Sequence, residues 1–295
     1  MALIAVLADK GAPGVTTTAV VLAAVWPQPA VLAECDVAGG DLPYRLPSSG
    51  GTPLAQDRGL LSLASAVRSP SGPDAVWEHT QQLDGGLQVL VGPALPEQAA
   101  AMATAWTPIS GMLAGLPGTD VIADCGRVLG DTPVLPVLRR AELLVFVARH
   151  TVEGVAHLRH GLVAVARAVN AQGSPTGASA LHRTAVLLIT DARRGREATR
   201  EVSRLLADSP GLGDVSVLGA LADDSAAARG LSGQWGRRLD RSALVVSARS
   251  AAQAAHARVH ANDRPLPSLA PSAGPCAAVA GGPPGAQPAA TGAMA

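Results

Sequence analysis

The chain has 295 residues, with 23 basic and 23 acidic side chains and a formal net charge of zero. That balance excludes a protein that grips nucleic acid through a strongly basic surface alone, and equally an acidic solvating chain. Aromatic residues make up 2%, too few for base-stacking platforms, whereas 48% apolar content supplies a substantial core.

Taken in chain order, Leu3 to Leu7 is a continuous apolar run, the pattern of a strand buried on both faces. It leads through a Gly-punctuated turn, Asp9 to Thr18, into a helix predicted over Ala19–Trp26, which Pro27 and Pro29 end. A second strand, Ala30–Ala33, opens a Gly-rich loop from Glu34 to Asp41. Residues 43–58 read as loop, Gly59–Arg68 and Asp74–Gln82 as helices, and Leu87–Val91 as a strand. Pro96–Leu116 reads as a helix, with Pro96 in its first turn and Pro108 as a kink or break.

Strands follow at Val121–Asp124 and Leu143–Ala148, then an amphipathic helix over Val152–Val169 and a loop at 171–180. Ala185–Ile189 and Val215–Leu218 read as strands flanking a helix at Arg196–Leu206. Ser225–Leu231 and Arg241–Ala257 close the pattern as helices. From Asn262 onward the composition is Pro, Ala, Gly and Ser with almost no charge, expected to be a disordered tail. The expected division is a folded domain over 1–258 and a tail over 259–295. Alternating strands and helices predict an α/β fold, an open, mostly parallel sheet with helices on both faces. Such sheets bind ligands beyond the carboxyl ends of their strands.

Three scattered cysteines, Cys35, Cys125 and Cys276, form neither a disulfide framework nor a zinc motif. The apolar run from Ala2 to Ala8 is too short for a signal peptide, and no stretch reaches the ~18 apolar residues of a membrane span without a charge or a Pro/Gly break. A cytoplasmic protein is expected.

The turn at 9–18 carries the chemistry. The general phosphate-binding loop, G-x-x-x-x-G-K-[ST], wraps phosphates in backbone N–H groups, reaches them with its lysine and holds Mg²⁺ with its hydroxyl. Laid on residues 9–16 it keeps Gly14 and Thr16, but Asp9 stands at the first glycine and Val15 at the lysine. Lys10, the single lysine among 23 basic residues, lies in this turn.

Lys10-Gly11-Ala12-Pro13-Gly14-Val15-Thr16-Thr17 resembles the deviant loop K-G-G-x-G-K-T-T of the MinD/ParA family of P-loop ATPases. Val31 to Asp41 resembles that family's second motif, Asp120 to Asp124 its Walker B strand, and Gly219 to Asp224 its G-x-L-P-x-D element. The G-A-P-G-V-T-T form of the loop is similar to that of actinobacterial MinD-like proteins. The resemblance spans about residues 1–255. It implies ATP and Mg²⁺ as cofactors, a P-loop NTPase-like sheet and a nucleotide-dependent homodimer. It also implies protein partners in a partitioning, division-site or pilus and secretion assembly machine. Lys10 would reach the partner subunit's phosphates, with Gly11, Ala12, Pro13, Gly14 and Val15 forming the loop. Thr16 would hold Mg²⁺ and Thr17 touch a phosphate. Asp36 would orient the attacking water, and Asp124 would hold Mg²⁺ through water. No membrane-anchoring helix is evident at the C-terminus, and nucleic-acid contact is left open.

Val15 and Asp9 remove a cation and add a carboxylate where a tetra-anion would sit, at a cost of several kcal/mol in a phosphate site. Two expectations follow: a nucleotide switch with slow or absent hydrolysis, or a pseudo-ATPase scaffold that uses the fold for protein contacts. Among the other polar residues, Asp41 reads as a helix cap and Cys35 and Cys125 as packing residues. Arg193, Arg194 and Arg196 read as a solvated basic turn. The histidines are taken to carry no metal-ligand spacing, with His157 and His160 on a helix surface.

Overall fold

The computed structural model describes residues 1–10, 14–68, 72–128, 132–171, 179–231 and 237–261. Its first half runs β1 (Leu3–Ala8), α1 (Val15–Ala24), β2 (Ala30–Glu34), α2 (Leu42–Arg45), α3 (Leu60–Ala66), α4 (Val76–His79), β3 (Gln81–Gln82), β4 (Gln88–Leu90), α5 (Pro96–Ala101), α6 (Trp106–Ala114) and β5 (Asp120–Arg127). The second half runs α7 (Leu135–Arg140), β6 (Leu143–Arg149), α8 (Val152–Asn170), β7 (Thr184–Thr190), α9 (Gly195–Ala207), β8 (Ser216–Ala222), α10 (Ser225–Gly230), α11 (Arg237–Asp240) and α12 (Ala243–Val259).

The eight strands form one sheet in the order β3-β4-β2-β5-β1-β6-β7-β8, parallel except for the β3–β4 pair. Its central strands are apolar throughout because helices cover both faces. In β1, Leu3, Ala5 and Leu7 enter the core beneath α6, α7, α8 and α9, while Ile4, Val6 and Ala8 face α1 and α12. The chain moves outward from β1 to β2 and β4, returns to β5, and then crosses β1 to build β6, β7 and β8. That reversal opens a crevice at the carboxyl ends of β2, β5 and β1.

Several boundaries differ from the sequence-based expectation. Helix α1 begins at Val15 rather than Ala19. The β-branched threonines cost only tenths of a kcal/mol each in a helix, and Thr18 is buried. The predicted helix at 96–116 is broken at 102–105, not at Pro108, which sits in the first turn of α6 where proline is tolerated. Gln81 and Gln82 leave the predicted helix to pair antiparallel with β4 at the sheet edge. Short helices α2 and α7, each with proline near its start, lie where no helix is predicted. β8 extends to Ala222, through part of the G-x-L-P-x-D-like segment. The tail expected from 262 onward, with Cys276, lies outside the described residues.

Candidate functional site

Asp124 on β5 stands in register with Val6 of β1 and Glu34 of β2, so three strand ends meet at one level of the sheet. Helix α1 starts above them. Gly14 is its N-cap residue with φ 113, a conformation that favours glycine, and no side chain among the described residues caps the helix. The free N–H groups of a helix start attract an anion. Gly14, Val15, Thr16 and Thr17 line a crevice of about 440 Å³ with Asp9, Asp36, Gly126 and Arg127. The structure therefore brings together Gly14 to Thr17 and Asp36, with Asp124 in the strand layer below. Lys10 is exposed and does not line the crevice. Gly11, Ala12 and Pro13 lie outside the described residues.

Asp124 is buried. Its Oδ1 accepts from the Gly126 N–H at 3.1 Å, and its Oδ2 has no hydrogen-bond partner among the described residues. Burial lifts its carboxyl to about 7, against the counter-pull of Thr16 and the Gly126 N–H. A buried carboxylate with an open lone pair beside a threonine hydroxyl fits a hard cation, whose preferred ligands are oxygens. Asp36 accepts from the Ala38 N–H at 2.8 Å. Burial raises its pKa too, while the Arg127 charge lowers it. Gly126, at φ 57, lies so close that a Cβ there would overlap the Asp36 carboxylate.

Three charged residues were not singled out from sequence. Glu34, buried at the end of β2, accepts from the Leu42 N–H at 2.9 Å and the Gly92 N–H at 2.9 Å. It thus ties the Gly-rich loop to the end of the β4 segment. Arg45, one turn beyond that tie, donates from Nη2 to Thr17 Oγ1 at 3.0 Å and lines the crevice. Arg127 follows Asp124 by three residues, lines the same crevice as Asp36 and lowers that carboxyl's pKa by charge. Arg45 falls in a segment read as loop, and nothing in the local sequence marked it.

Other expectations sort clearly. Val15 is 6% exposed and offers the crevice only hydrocarbon. Asp9 lines the crevice, and its Oδ2 lies 3.9 Å from His157 Nδ1 on α8, so His157 is a half-buried neighbour of that carboxylate rather than a plain surface residue. Asp41 holds the N-cap position of α2 without a capping hydrogen bond from its side chain. Cys35 and Cys125 are fully buried, and burial pushes both thiols up, as packing residues require. Asp224 caps α10 by accepting from the Ala227 N–H at 2.9 Å, and Asp223 pairs with Arg149 at 2.6 Å. Arg193, Arg194 and Arg196 are exposed.

The histidine reading needs correction. His256 and His260 are four apart on and just past α12, and their ring nitrogens lie within 4.8 Å of Asp120, a metal-capable spacing. Asp120 Oδ2, however, already accepts from Trp26 Nε1 at 2.8 Å, Gln28 Nε2 at 2.6 Å and His260 Nε2 at 2.9 Å. Its Oδ1 takes the Ala2 N–H at 2.6 Å. The carboxylate is saturated, so this cluster is a polar clamp at the amino end of β5, opposite the crevice.

No protein-family model matches the chain, and no curated protein matches it. Solved structures do. A ParA family ATPase from Chlorobium tepidum superposes with TM-score 0.63 at 15% identity, over 85% of this chain and 97% of that one. The cell division ATPase MinD from Pyrococcus furiosus gives TM-score 0.61 at 15% identity, over 86% and 98%. Cobyrinic acid a,c-diamide synthase from Mycobacterium smegmatis, solved with an ATP analog and magnesium, gives 0.59 at 19% identity, over 92% and 100%. The chain has the fold of the ParA and MinD ATPases. No helix among its described residues is long and apolar enough to cross a membrane.

Proposed function

We propose that this ParA/MinD-like chain is a cytoplasmic nucleotide switch that binds Mg²⁺·ATP in the crevice below α1. The observation that carries this is the convergence of an uncapped helix start with Thr16, Thr17, Asp36 and a buried Asp124 whose Oδ2 lacks a partner. Thr16 and Asp124 would hold Mg²⁺, the first-turn N–H groups of α1 and Thr17 the phosphates, and Asp36 the position of a water. Bound Mg²⁺·ATP supplies the phosphoryl group and the charge neutralisation that phosphoryl chemistry needs. The protein side of the site holds charge and orients. Asp36 is fixed by the Ala38 N–H and kept close by Gly126.

Val15 withholds the loop cation that stabilises charge on the transferring group, so turnover is slow or absent. In this reading two copies meet across bound nucleotide, with the exposed Lys10 reaching the partner's phosphates. The dimer then recruits protein partners of a partitioning, division or assembly machine. Burial of an apolar residue at the lysine position also favours a second reading, a scaffold that has lost nucleotide. Titration calorimetry with ATP and ADP, with and without Mg²⁺, separates the two. The switch reading expects Mg²⁺-dependent ATP binding at micromolar to sub-millimolar concentration, and no binding at several millimolar refutes it.

A further inference from the structure

We infer that Arg45 is the in-cis cation that binds the phosphates at this site, taking over the binding part, not the transition-state part, of the role of the lysine that Val15 replaces. This rests on the nucleotide reading above. A phosphate loop needs a cation near the β- and γ-phosphates because its anionic ligand must be neutralised inside a partly desolvated crevice. Position 15 has only methyl groups to offer. Two guanidinium groups line the same crevice, Arg45 and Arg127. Arg127 is exposed, and its charge acts on the Asp36 carboxyl without a hydrogen bond among the described residues that fixes it at the helix start.

Arg45 differs in two respects. Its Nη2 is 3.0 Å from Thr17 Oγ1, on the first turn of α1, so the guanidinium lies one hydrogen bond from the helix start that takes the anion. Its placement is also built in. The buried Glu34 carboxylate grips the N–H of Leu42, the first residue of the four-residue helix that ends at Arg45. An arginine held this way has a planar fork of further donors for a two-point contact with phosphate oxygens. The ligand class is a nucleoside di- or triphosphate, and the contact falls on the phosphates rather than the base.

The test measures Mg²⁺·ATP affinity of the native protein, Arg45→Gln, Arg45→Lys and the double variant Arg45→Gln with Val15→Lys. Arg45→Gln is expected to weaken binding tenfold or more and Arg45→Lys by less. Returning a lysine at 15 is expected to recover most of the loss, which a misfolded Arg45→Gln protein would not allow. Native-like binding by Arg45→Gln overturns the inference and leaves the nucleotide reading standing. A loss that Val15→Lys does not repair also overturns it, since the defect is then not one of missing phosphate charge. Absence of binding by the native protein overturns the nucleotide reading and this inference with it.

Discussion

Asp124→Asn is expected to stabilise the nucleotide-free protein at alkaline pH. In the native chain the Asp124 carboxyl is buried and titrates at about 7 rather than 3.8. At about 1.4 kcal/mol per pH unit, keeping it ionised in the folded state at pH 8 costs about 4 kcal/mol. The sign follows from linkage. The folded protein holds this proton more tightly than the unfolded chain, so the contribution favours folding at low pH and is lost as pH rises from 3.8 to about 7. Asparagine removes the charge and keeps an acceptor for the Gly126 N–H. Its amide N–H₂ faces the place where Oδ2 has no partner, a penalty of about 1–3 kcal/mol. The net gain at pH 8 is therefore about 1–3 kcal/mol, or several degrees in melting temperature for a domain of this size. Thermal unfolding in EDTA at pH 8 and pH 5 provides the assay. Moving to pH 5 should cut the variant's advantage by about 3 kcal/mol, since the native carboxyl then carries its proton. A variant that melts below the native protein at pH 8, or a difference that ignores pH, would refute the reasoning.

Three further outcomes are expected. Thr16→Ala should weaken Mg²⁺·ATP binding more than Mg²⁺-free ADP binding in calorimetry, whereas equal losses would remove the metal role of that hydroxyl. Gly126→Ala must place a Cβ on the Asp36 carboxylate at φ 57. It should lower stability by about 1–3 kcal/mol in urea unfolding and abolish any ATP turnover, with Mg²⁺·ATP affinity falling less than tenfold. His260→Ala removes one donor from the buried Asp120, whose hydrogen bonds from His260, Trp26 and Gln28 outweigh burial and hold its carboxyl below 3.8. That stability is present above pH 3.8 and disappears as pH falls through the lower folded value. The variant should therefore lose about 1–3 kcal/mol at pH 7 and converge with the native protein in acid unfolding near pH 2.

The sheet was legible because its strands carry their own signal. Leu3 to Leu7, Leu143 to Ala148 and Ala185 to Ile189 are short runs rich in aliphatic and β-branched residues, apolar without interruption, as strands covered on both faces are. Helix starts were less legible. The threonines of α1 look like turn residues until Gly14 at φ 113 shows that the chain has already turned. Pro108 reads as a breaker, yet a proline in the first turn of a helix removes an N–H that has no intrahelical partner there. The β3–β4 pairing depends on an edge that local sequence does not describe.

The site divides along the same line between local and distant causes. Thr16, Asp36 and Asp124 were legible because each sits at the end of a strand or the start of a helix, where an open α/β sheet collects its ligand groups. Glu34 was legible as part of a motif but not in its role, since its two partners lie 8 and 58 residues away. Arg45 was not legible at all. Its value comes from a short helix positioned by Glu34 and from Thr17, 28 residues earlier in the chain. Val15 therefore looks like a lost cation in one dimension. In three dimensions the loss is local to the loop, and the same crevice receives a guanidinium from the neighbouring strand's loop.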